Sequence, residues 1–343
     1  MRKRYWLSLG ISAVLLFLLL KAVDVGQVAA AVSSANFVFL LPALALYFGG
    51  VALRALRWRL LLRPVKQVGF RRTFVLVVIG FMANDLLPFR AGEGVRAFML
   101  WKKEQLEPGA TLATITVERI FDGLALVSFL LVVGLAMPLE GWVTQIGAVA
   151  GVVFLAGIGG VLAMVLAPTV LERLAAGLLA PAPARLRGIL LRLLRTFVDG
   201  LSVLRNPRQL LAVGALSLGA WLLEAGMYYA IMYSFPLAPS YLAALLGTAV
   251  ANLGSMVPSS PGYVGTFDVP LAAVLVGTFQ VDPSVAAGYT LLVHLALVAP
   301  VSLLGLLYTW REGLSLSAMA EAGARMTSGR GGLSQDVTSS TER

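Results

Sequence analysis

The sequence NDLLPFRAGEG, at residues 84–94, interrupts an apolar segment and largely decides the fold. The apolar runs on its two sides, residues 73–83 and 95–101, are each shorter than the roughly 20 residues of a membrane-spanning helix. Both flanks are basic, with Arg72 before and Lys102 after, and basic residues mark the cytoplasmic side of a membrane. The pattern predicts a re-entrant helical hairpin that enters and leaves on the cytoplasmic side. Irregular backbone at that depth is tolerated where protein buries it or where it lines a polar cavity.

A second interrupted segment follows at residues 242–279. The sequence NLGSMVPSSPGYVG at residues 252–265 separates its two apolar runs, and no basic residue occurs between Pro236 and Pro283. This segment is therefore predicted to enter from the outside. The two interruptions share an Asn followed by Pro-x-x-x-Gly, carried by Asn84, Pro88 and Gly92 in the first and by Asn252, Pro258 and Gly262 in the second.

Each interrupted segment lies between two apolar stretches that are long enough to span a membrane. These stretches are residues 37–62 and 111–137 around the first, and 210–234 and 285–310 around the second. Opposite entry sides for the two segments predict an inverted repeat, which is the architecture of many secondary transporters. The alternative is that Pro and Gly are simply frequent in membrane helices.

The composition supports a membrane protein and excludes several other classes. Of the 343 residues, 59% are hydrophobic and 13% are charged, whereas soluble proteins carry roughly 25% charged residues. A soluble enzyme would have to hide too much apolar surface, and a disordered chain needs low hydrophobicity. The absence of Cys excludes disulfides and thiolate metal sites. The fold class is therefore predicted to be all-α and polytopic.

Two further apolar stretches, at residues 6–23 and 143–167, bring the predicted total to about six full spans. The first follows three basic residues and is predicted to be an uncleaved helix, because residues 20–24 make a poor signal-peptide cleavage site. The +10 net charge lies mostly in cytoplasmic segments, which places both termini in the cytoplasm of a multi-pass cell-membrane protein. Nucleic acid is not a predicted partner.

The predicted organisation is a single membrane domain at residues 1–321 and a disordered cytoplasmic tail at 322–343. Within the domain, apolar residues recur at helical spacing over residues 185–204, and arginines occupy the other face. This pattern predicts an amphipathic helix on anionic lipid headgroups. Repeat one is placed at about 37–137, the linking span and amphipathic helix at 143–209, and repeat two at about 210–310.

Charged residues inside the predicted spans are the candidate functional residues, since each costs about 2.5–3.5 kcal/mol at the bilayer centre. Arginine suits bidentate phosphate binding, so the candidate lipid headgroup ligands are Arg54, Arg57, Arg90, Arg96 and Arg119. The candidates that orient them are Asn84, Glu93, Glu118 and Asp122, and Asp85 belongs to the same charged set. The candidate proton-binding residues are Glu224, Asp268 and His294, and the hairpin breaks are Pro88, Gly92, Pro258, Gly262 and Gly265.

Simpler interpretations of these residues stay open. Arg57, like other arginines near the cytoplasmic end of its span, can extend its charged group toward the interface. Residues 118–122 can form a structural lock between helices, and His294 can be an interhelical hydrogen-bonding residue. Glu118 and Asp122 as an acid–base pair or as magnesium ligands are the remaining enzymatic alternative. No metal or other cofactor is predicted, since one His cannot form a His-based metal cluster.

Three motifs resemble the flippase-like family, also called the lysylphosphatidylglycerol synthase transmembrane-region family. They are N-x-L-L-P-x-R-A-G-E-x-x-R at residues 84–96, V-E-R-I-F-D-x-L-A-L at 117–126 and P-G-x-x-G-x-x-D at 261–268. The sequence R-x-x-R-W at 54–58 also fits, and the resemblance covers about residues 5–312. One departure is Asp268, where the family more often has Glu.

The resemblance implies lipid translocation and not synthesis. In the multiple peptide resistance factor, a similar membrane region precedes a separate soluble aminoacyl transferase domain. Only about 30 residues follow the last predicted span here, so the chain is predicted not to be an enzyme. The resemblance implies a phosphate-bearing lipid substrate, such as a phospholipid, an aminoacyl-lipid or a polyprenyl-phosphate glycolipid. The alternative is a non-transporting subunit that presents a lipid carrier to a glycosyltransferase or lipid synthase partner.

Overall fold

The structure is a computed structural model that describes residues 25–87, 91–181, 183–201, 206–256 and 260–313. These residues form twelve α-helices and no strand. The helices are α1 (Val25–Ser33), α2 (Leu40–Leu62), α3 (Phe70–Leu86), α4 (Gly92–Glu104), α5 (Pro108–Ala136), α6 (Gly141–Leu166), α7 (Pro168–Leu178), α8 (Ala184–Gly200), α9 (Pro207–Met232), α10 (Tyr241–Gly254), α11 (Asp268–Gly277) and α12 (Pro283–Arg311).

Five of these helices are long and apolar enough to cross a membrane: α2 with the short 3-10 turn before it, α5, α6, α9 and α12. They coincide within a few residues with five of the six predicted spans, so the prediction of an all-α polytopic membrane protein is confirmed. The other predicted span, at 6–23, and the predicted tail, at 322–343, lie outside the described residues.

The two interrupted segments each form a pair of shorter helices, as the sequence predicts. Helices α3 and α4 contain 17 and 13 residues, and α10 and α11 contain 14 and 10. The helices of each pair pack against each other. Helix α3 begins and ends about three residues beyond the predicted apolar run. Pro88, Arg90 and Pro258 lie in the undescribed parts of the two interruptions.

Glycine allows close approach or unusual backbone at both interruptions. A Cβ atom on Gly92 would overlap the backbone oxygen of Gly80, so α4 begins in direct contact with the backbone of α3. In the second interruption, Gly262 and Gly265 have φ angles of +73° and +84°. Side chains with a Cβ rarely adopt this left-handed region, so both positions favour glycine.

Helix packing follows the same pattern in the two halves of the chain. Helix α2 packs on α9, and these are the first long helices of the two halves. Matching α2–α5 with α9–α12 in order makes α3 the counterpart of α10. Helix α3 packs on α2, α4 and α12, and helix α10 packs on their counterparts α9, α11 and α5. The same pairs of matched helices are therefore in contact in the two halves of the chain.

The predicted amphipathic helix at 185–204 corresponds to α8. It packs along α5, where a Cβ on Gly109 would meet Thr196 and one on Gly200 would meet Ala110. Its Arg192 side chain is exposed, as the predicted polar face requires.

Candidate functional site

A polar cavity of about 130 Å³ lies where the two halves of the chain meet. Its wall includes residues from α2, α3, α5, α9, α10 and α12 and from the loop before α11. Eleven of the sixteen described lining residues are polar or charged: Tyr47, Arg54, Asn84, Asp85, Arg119, Asp122, Glu224, Asn252, Ser255, Tyr263 and His294. A polar cavity inside an apolar helix bundle needs a functional explanation, because each such group is costly to bury.

Arg54 forms one wall of the cavity through a buried ion pair. Its Nη2 atom donates to Glu224 Oε2 at 2.7 Å, and its guanidinium lies over the Trp221 ring, 4.6 Å from the ring centre. The other Glu224 oxygen accepts from Asn252 Nδ2 at 3.1 Å. Within the described residues, the buried Nη1 atom of Arg54 has no hydrogen-bond partner. Arg54 therefore has one ion-paired Nη group and one Nη group without a partner in the described chain, and the latter is enclosed by protein.

Arg57 lies one helical turn further along α2 and is fully enclosed. Its guanidinium donates to Asp122 Oδ1 at 2.5 Å, to Ser217 at 2.8 Å and to Glu118 at 3.4 Å. The side chain is 1% exposed and does not line the cavity. Arg57 thus locks α2, α5 and α9 together and does not extend its charge toward the interface.

Arg96 is also enclosed. It donates to Glu118 Oε2 at 2.7 Å, and its guanidinium lies over the Trp58 ring at 3.7 Å from the ring centre. Trp58 in turn donates to Thr114 at 3.1 Å. A charge pair, a ring stacked on the guanidinium and a satisfied indole together fix α4 against α2 and α5.

Arg119 is the second arginine that lines the cavity. Its nearest carboxylates are Glu93 at 3.4 Å and Asp122 at 3.8 Å, distances that indicate looser pairing than that of Arg57 or Arg96. The Arg119 side chain is 29% exposed and the Glu93 side chain 30%, so this ion pair is less enclosed than those of Arg57 and Arg96.

Asp268 and His294 close the other side of the cavity. His294 Nε2 donates to the Gly262 carbonyl oxygen at 2.6 Å, and Nδ1 lies 2.6 Å from Asp268 Oδ1. Asp268 Oδ2 accepts from the backbone N–H of Gly265 at 2.8 Å. This arrangement ties α12 to α11 and to the glycine turn that precedes it. The interhelical interpretation of His294 therefore agrees with the structure.

The predicted site residues separate into two sets. Six line the cavity, namely Arg54, Asn84, Arg119, Asp122, Glu224 and His294. The others in the described chain surround it: Arg57, Arg96 and Glu118 in buried pairs, Glu93 beside Arg119, Asp268 beside His294, and the glycines in the breaks. Arg90 lies outside the described residues.

Sequence reasoning omitted several cavity residues from the predicted site. Asp85 belongs to the predicted charged set but received no role, although it lines the cavity beside Asn84. Asn252 opens the second interruption as Asn84 opens the first, and this shared position was a usable signal. Tyr47 and Trp221 gave no signal, since aromatic residues are ordinary in membrane helices. Among the described residues, no group of three His, Asp or Glu side chains is arranged to hold a metal ion.

The fold and the buried charges define a multi-pass α-helical membrane protein with a polar cavity inside its helix bundle. The chain belongs to the lysylphosphatidylglycerol synthase TM region family, whose model matches residues 5–305. A UPF0104 membrane protein from Methanothermobacter thermautotrophicus is 27% identical over 316 residues, which cover 86% of this chain and 91% of that protein. A second protein of the same name and organism is 24% identical and covers 90% of this chain and 93% of its own length.

A further relative is the glycosyltransferase AglD of Haloferax volcanii. It is 22% identical over 79% of this chain, but the match covers only 48% of AglD. No solved structure matches this chain significantly.

Proposed function

We propose that this protein is a lipid transporter that moves a phosphate-bearing lipid across the bilayer. The observation that carries the proposal is the cavity between the two halves, which is lined by Arg54 and Arg119. The lipid phosphate binds to these guanidinium groups, and the apolar chains stay in the surrounding membrane. The substrate is a phospholipid, an aminoacyl-lipid or a polyprenyl-phosphate glycolipid.

The repeated helix contacts support an inverted repeat with two re-entrant hairpins, α3–α4 and α10–α11. In transporters of this architecture, the substrate site lies near the bilayer midplane, where broken helices of the two halves meet. The cavity occupies that position relative to the helices, because Asn84 of α3 and Asn252 of α10 both line it. Rocking of one half against the other would open the cavity to each side in turn.

The Nη1 donor of Arg54, unsatisfied among the described residues, supports phosphate as the bound group, since a small movement of the side chain would give this buried atom an acceptor. Arg57 and Arg96 are held by carboxylates, so their role is to hold the helices that form the cavity wall. Arg54 and Arg119 are instead placed to exchange part of their contacts for phosphate oxygens, which are strong acceptors for a guanidinium. Glu93 and Asp122 orient Arg119 for this purpose.

Reconstitution into liposomes with fluorescent lipids tests this proposal. The wild-type protein should accelerate transbilayer movement of at least one phosphate-bearing lipid, and Arg54→Gln should abolish the acceleration. Arg59→Gln is the matched control, because Arg59 lies on the same helix but is exposed. Failure of the wild-type protein to move any phospholipid or prenyl phosphate would contradict transport.

The proposed topology can be tested separately, because the chain has no Cys. Gln105 and Gln280 both end a short helical pair and both have left-handed backbone, with φ angles of 55° and 54°. Single Cys substitutions at these matched positions should react with a membrane-impermeant reagent from opposite sides. Gly69 and Pro239, exposed at the starts of the same two pairs, should report the same sides as Gln105 and Gln280, respectively. Any other labelling pattern contradicts the inverted hairpins.

A second candidate function is an accessory subunit that presents a lipid carrier to a glycosyltransferase or lipid synthase. The similarity to AglD, a protein named as a glycosyltransferase, favours this alternative. The basic face of α8 would then be the docking surface. In that case, loss of function would follow from Arg192→Glu combined with Arg195→Glu, and not from Arg54→Gln. The opposite result favours transport.

A further inference from the structure

Asp85 differs from the other carboxylates of the cavity in its partners. It is the second-last residue of α3, and its Oδ2 atom accepts a hydrogen bond from Ser302 of α12 at 3.0 Å. Glu224 is paired with Arg54, and Asp122 is paired with Arg57. In the described part of the chain, no basic side chain forms an ion pair with Asp85.

Two features of its surroundings oppose a negative charge on Asp85. The wall of the same cavity includes the apolar side chains of Phe81, Phe267 and Leu297. The C-terminal end of α3 adds the negative end of a helix dipole. Asp85 is half-buried, and partial removal from water without a cationic partner favours the protonated carboxyl, because the ionised form loses solvation.

The Asp268–His294 pair already holds one proton. Since the Gly262 carbonyl is only an acceptor, His294 Nε2 must carry a hydrogen. The 2.6 Å contact between Nδ1 and Asp268 Oδ1 requires a second hydrogen, located on one of those two atoms. In either arrangement, the two side chains together carry no net charge.

Among the described residues, a count of the charges then leaves one carboxylate without a compensating positive charge. The described cluster contains four arginines and six carboxylates, which gives an excess of two negative charges: Arg54, Arg57, Arg96 and Arg119 against Asp85, Glu93, Glu118, Asp122, Glu224 and Asp268. The proton of the Asp268–His294 pair cancels one of these. The remaining charge falls on Asp85, which is the carboxylate without a cationic partner in the described chain.

We propose that Asp85 binds a proton on Oδ1 and that this proton accompanies the lipid phosphate across the membrane. The coupling rests on the proposed transport function, whereas the proton on Asp85 does not. The titratable and charged groups that face Asp85 across the cavity are Tyr47 and Arg54 of α2, Arg119 and Asp122 of α5, Glu224 of α9, Tyr263 and His294.

The geometry explains why the proton and the phosphate would travel together. Protonated Asp85 donates a hydrogen bond toward the cavity, while its Oδ2 atom keeps the bond from Ser302. Ionised Asp85 would repel a phosphate group. Phosphate binding and proton binding therefore strengthen each other, and the effect is reciprocal by linkage. Asp85 also contacts the second interruption, where its backbone oxygen lies 3.8 Å from the Cβ position of residue 262.

Infrared spectroscopy of the protein in lipid nanodiscs tests the proton directly. At neutral pH the wild-type spectrum should contain a protonated carboxyl band that shifts in D2O and is missing from Asp85→Asn. The band should remain in Asp199→Asn, because Asp199 is exposed on α8. Ser302→Ala should keep the band but move it to higher frequency, because it removes the hydrogen bond to Oδ2. Absence of the band from the wild type overturns the proposal. A band that appears only in Arg90→Ala also overturns it, because Arg90 would then keep Asp85 ionised in the wild type.

Coupling is tested in liposomes with an imposed pH gradient. A gradient should accelerate wild-type lipid movement in the direction of proton flow and should have no effect on Asp85→Asn. Lipid movement that ignores the gradient overturns the coupling but leaves the transport proposal intact. If no lipid moves at all, the transport proposal fails, and the infrared band still reports whether Asp85 holds a proton.

Discussion

Arg54 and Glu224 are 170 residues apart and form a buried ion pair of 2.7 Å at the wall of the cavity. Arg54 belongs to α2 and Glu224 to α9, so the pair joins the first long helices of the two halves. Both Glu224 oxygens are used, one by Arg54 and the other by Asn252 of α10. Glu224 therefore joins α2 of the first half to α9 and α10 of the second.

Removal of one partner of this pair should destabilise the protein strongly. Arg54→Met leaves Glu224 buried and unpaired, which is expected to lower the free energy of unfolding by about 3–5 kcal/mol. The double variant Arg54→Met with Glu224→Met should recover part of that loss, because neither charge then remains buried. Reversible unfolding in mixed micelles measures the effect. Strictly additive losses in the double variant would contradict a direct interaction.

Gly92 should not tolerate a side chain. A Cβ atom at this position would overlap the backbone oxygen of Gly80 and would also meet Asn84 Oδ1, which accepts from the Gly92 N–H at 2.9 Å. Gly92→Ala is therefore expected to cost at least the upper end of about 1–3 kcal/mol. Gly160→Ala in α6 is the control, because no heavy atom lies within 4 Å of its Cβ position. Equal melting temperatures for the two variants would contradict the packing of α3 on α4.

Stability should depend on pH through Glu312, in the turn after α12. Burial by itself would raise the pKa of this carboxyl, but hydrogen bonds from Lys103 and Arg72, at 2.9 Å and 2.8 Å, outweigh it and lower the pKa. Because the pKa is lower in the folded state, the contribution is present above the unfolded-state pKa. It is lost as the pH falls through the folded-state pKa.

The melting temperature of the wild type should therefore fall in acid more than that of Glu312→Gln. The difference between the two proteins should be largest at neutral pH and should disappear at low pH. Glu107→Gln is the control, since Glu107 is exposed and its side chain caps no backbone group. If Glu312→Gln follows the wild type at every pH, the ion pairs do not contribute to stability.

His294 should hold the glycine turn of the second interruption in place. His294→Ala removes the hydrogen bond to the Gly262 carbonyl and leaves Asp268 without its ring partner. Hydrogen–deuterium exchange is expected to rise several-fold over residues 260–267 and to stay unchanged in α6. Asp268→Asn should give a smaller rise, because an amide can still pair with the neutral ring. Unchanged exchange in both variants would exclude this role.

Much of the fold could be predicted because the relevant information is local. Length and apolarity of a segment are enough to indicate a span, and five predicted spans reappear as helices within a few residues. The interruption at residues 84–94 could be predicted equally well, since Pro, Gly and charged residues disfavour a continuous apolar helix. The helix ends were less accurate: α3 extends through Asp85, because a polar residue in the last turn does not by itself end a helix.

The roles of the arginines could not be predicted in the same way. Arg54 and Arg57 lie one helical turn apart, and both were predicted to be phosphate ligands. The structure places Arg54 at the cavity and encloses Arg57 among partners 61 to 160 residues away in the chain. Which carboxylate meets which guanidinium depends on how α2, α5 and α9 pack, and helical spacing contains no information on that packing.

The sequence by itself thus determined the membrane class, the long helices, the two interrupted segments and the positions of the charged residues within them. These follow from the bilayer, which requires long apolar helices and makes each exception conspicuous. Only the tertiary structure decided that Arg54 and Arg119 line a shared cavity and that Asp85 has a hydroxyl partner but no cation among the described residues. The physical reason is that pairing of charges depends on distances between helices, and these are fixed only when the two halves pack together.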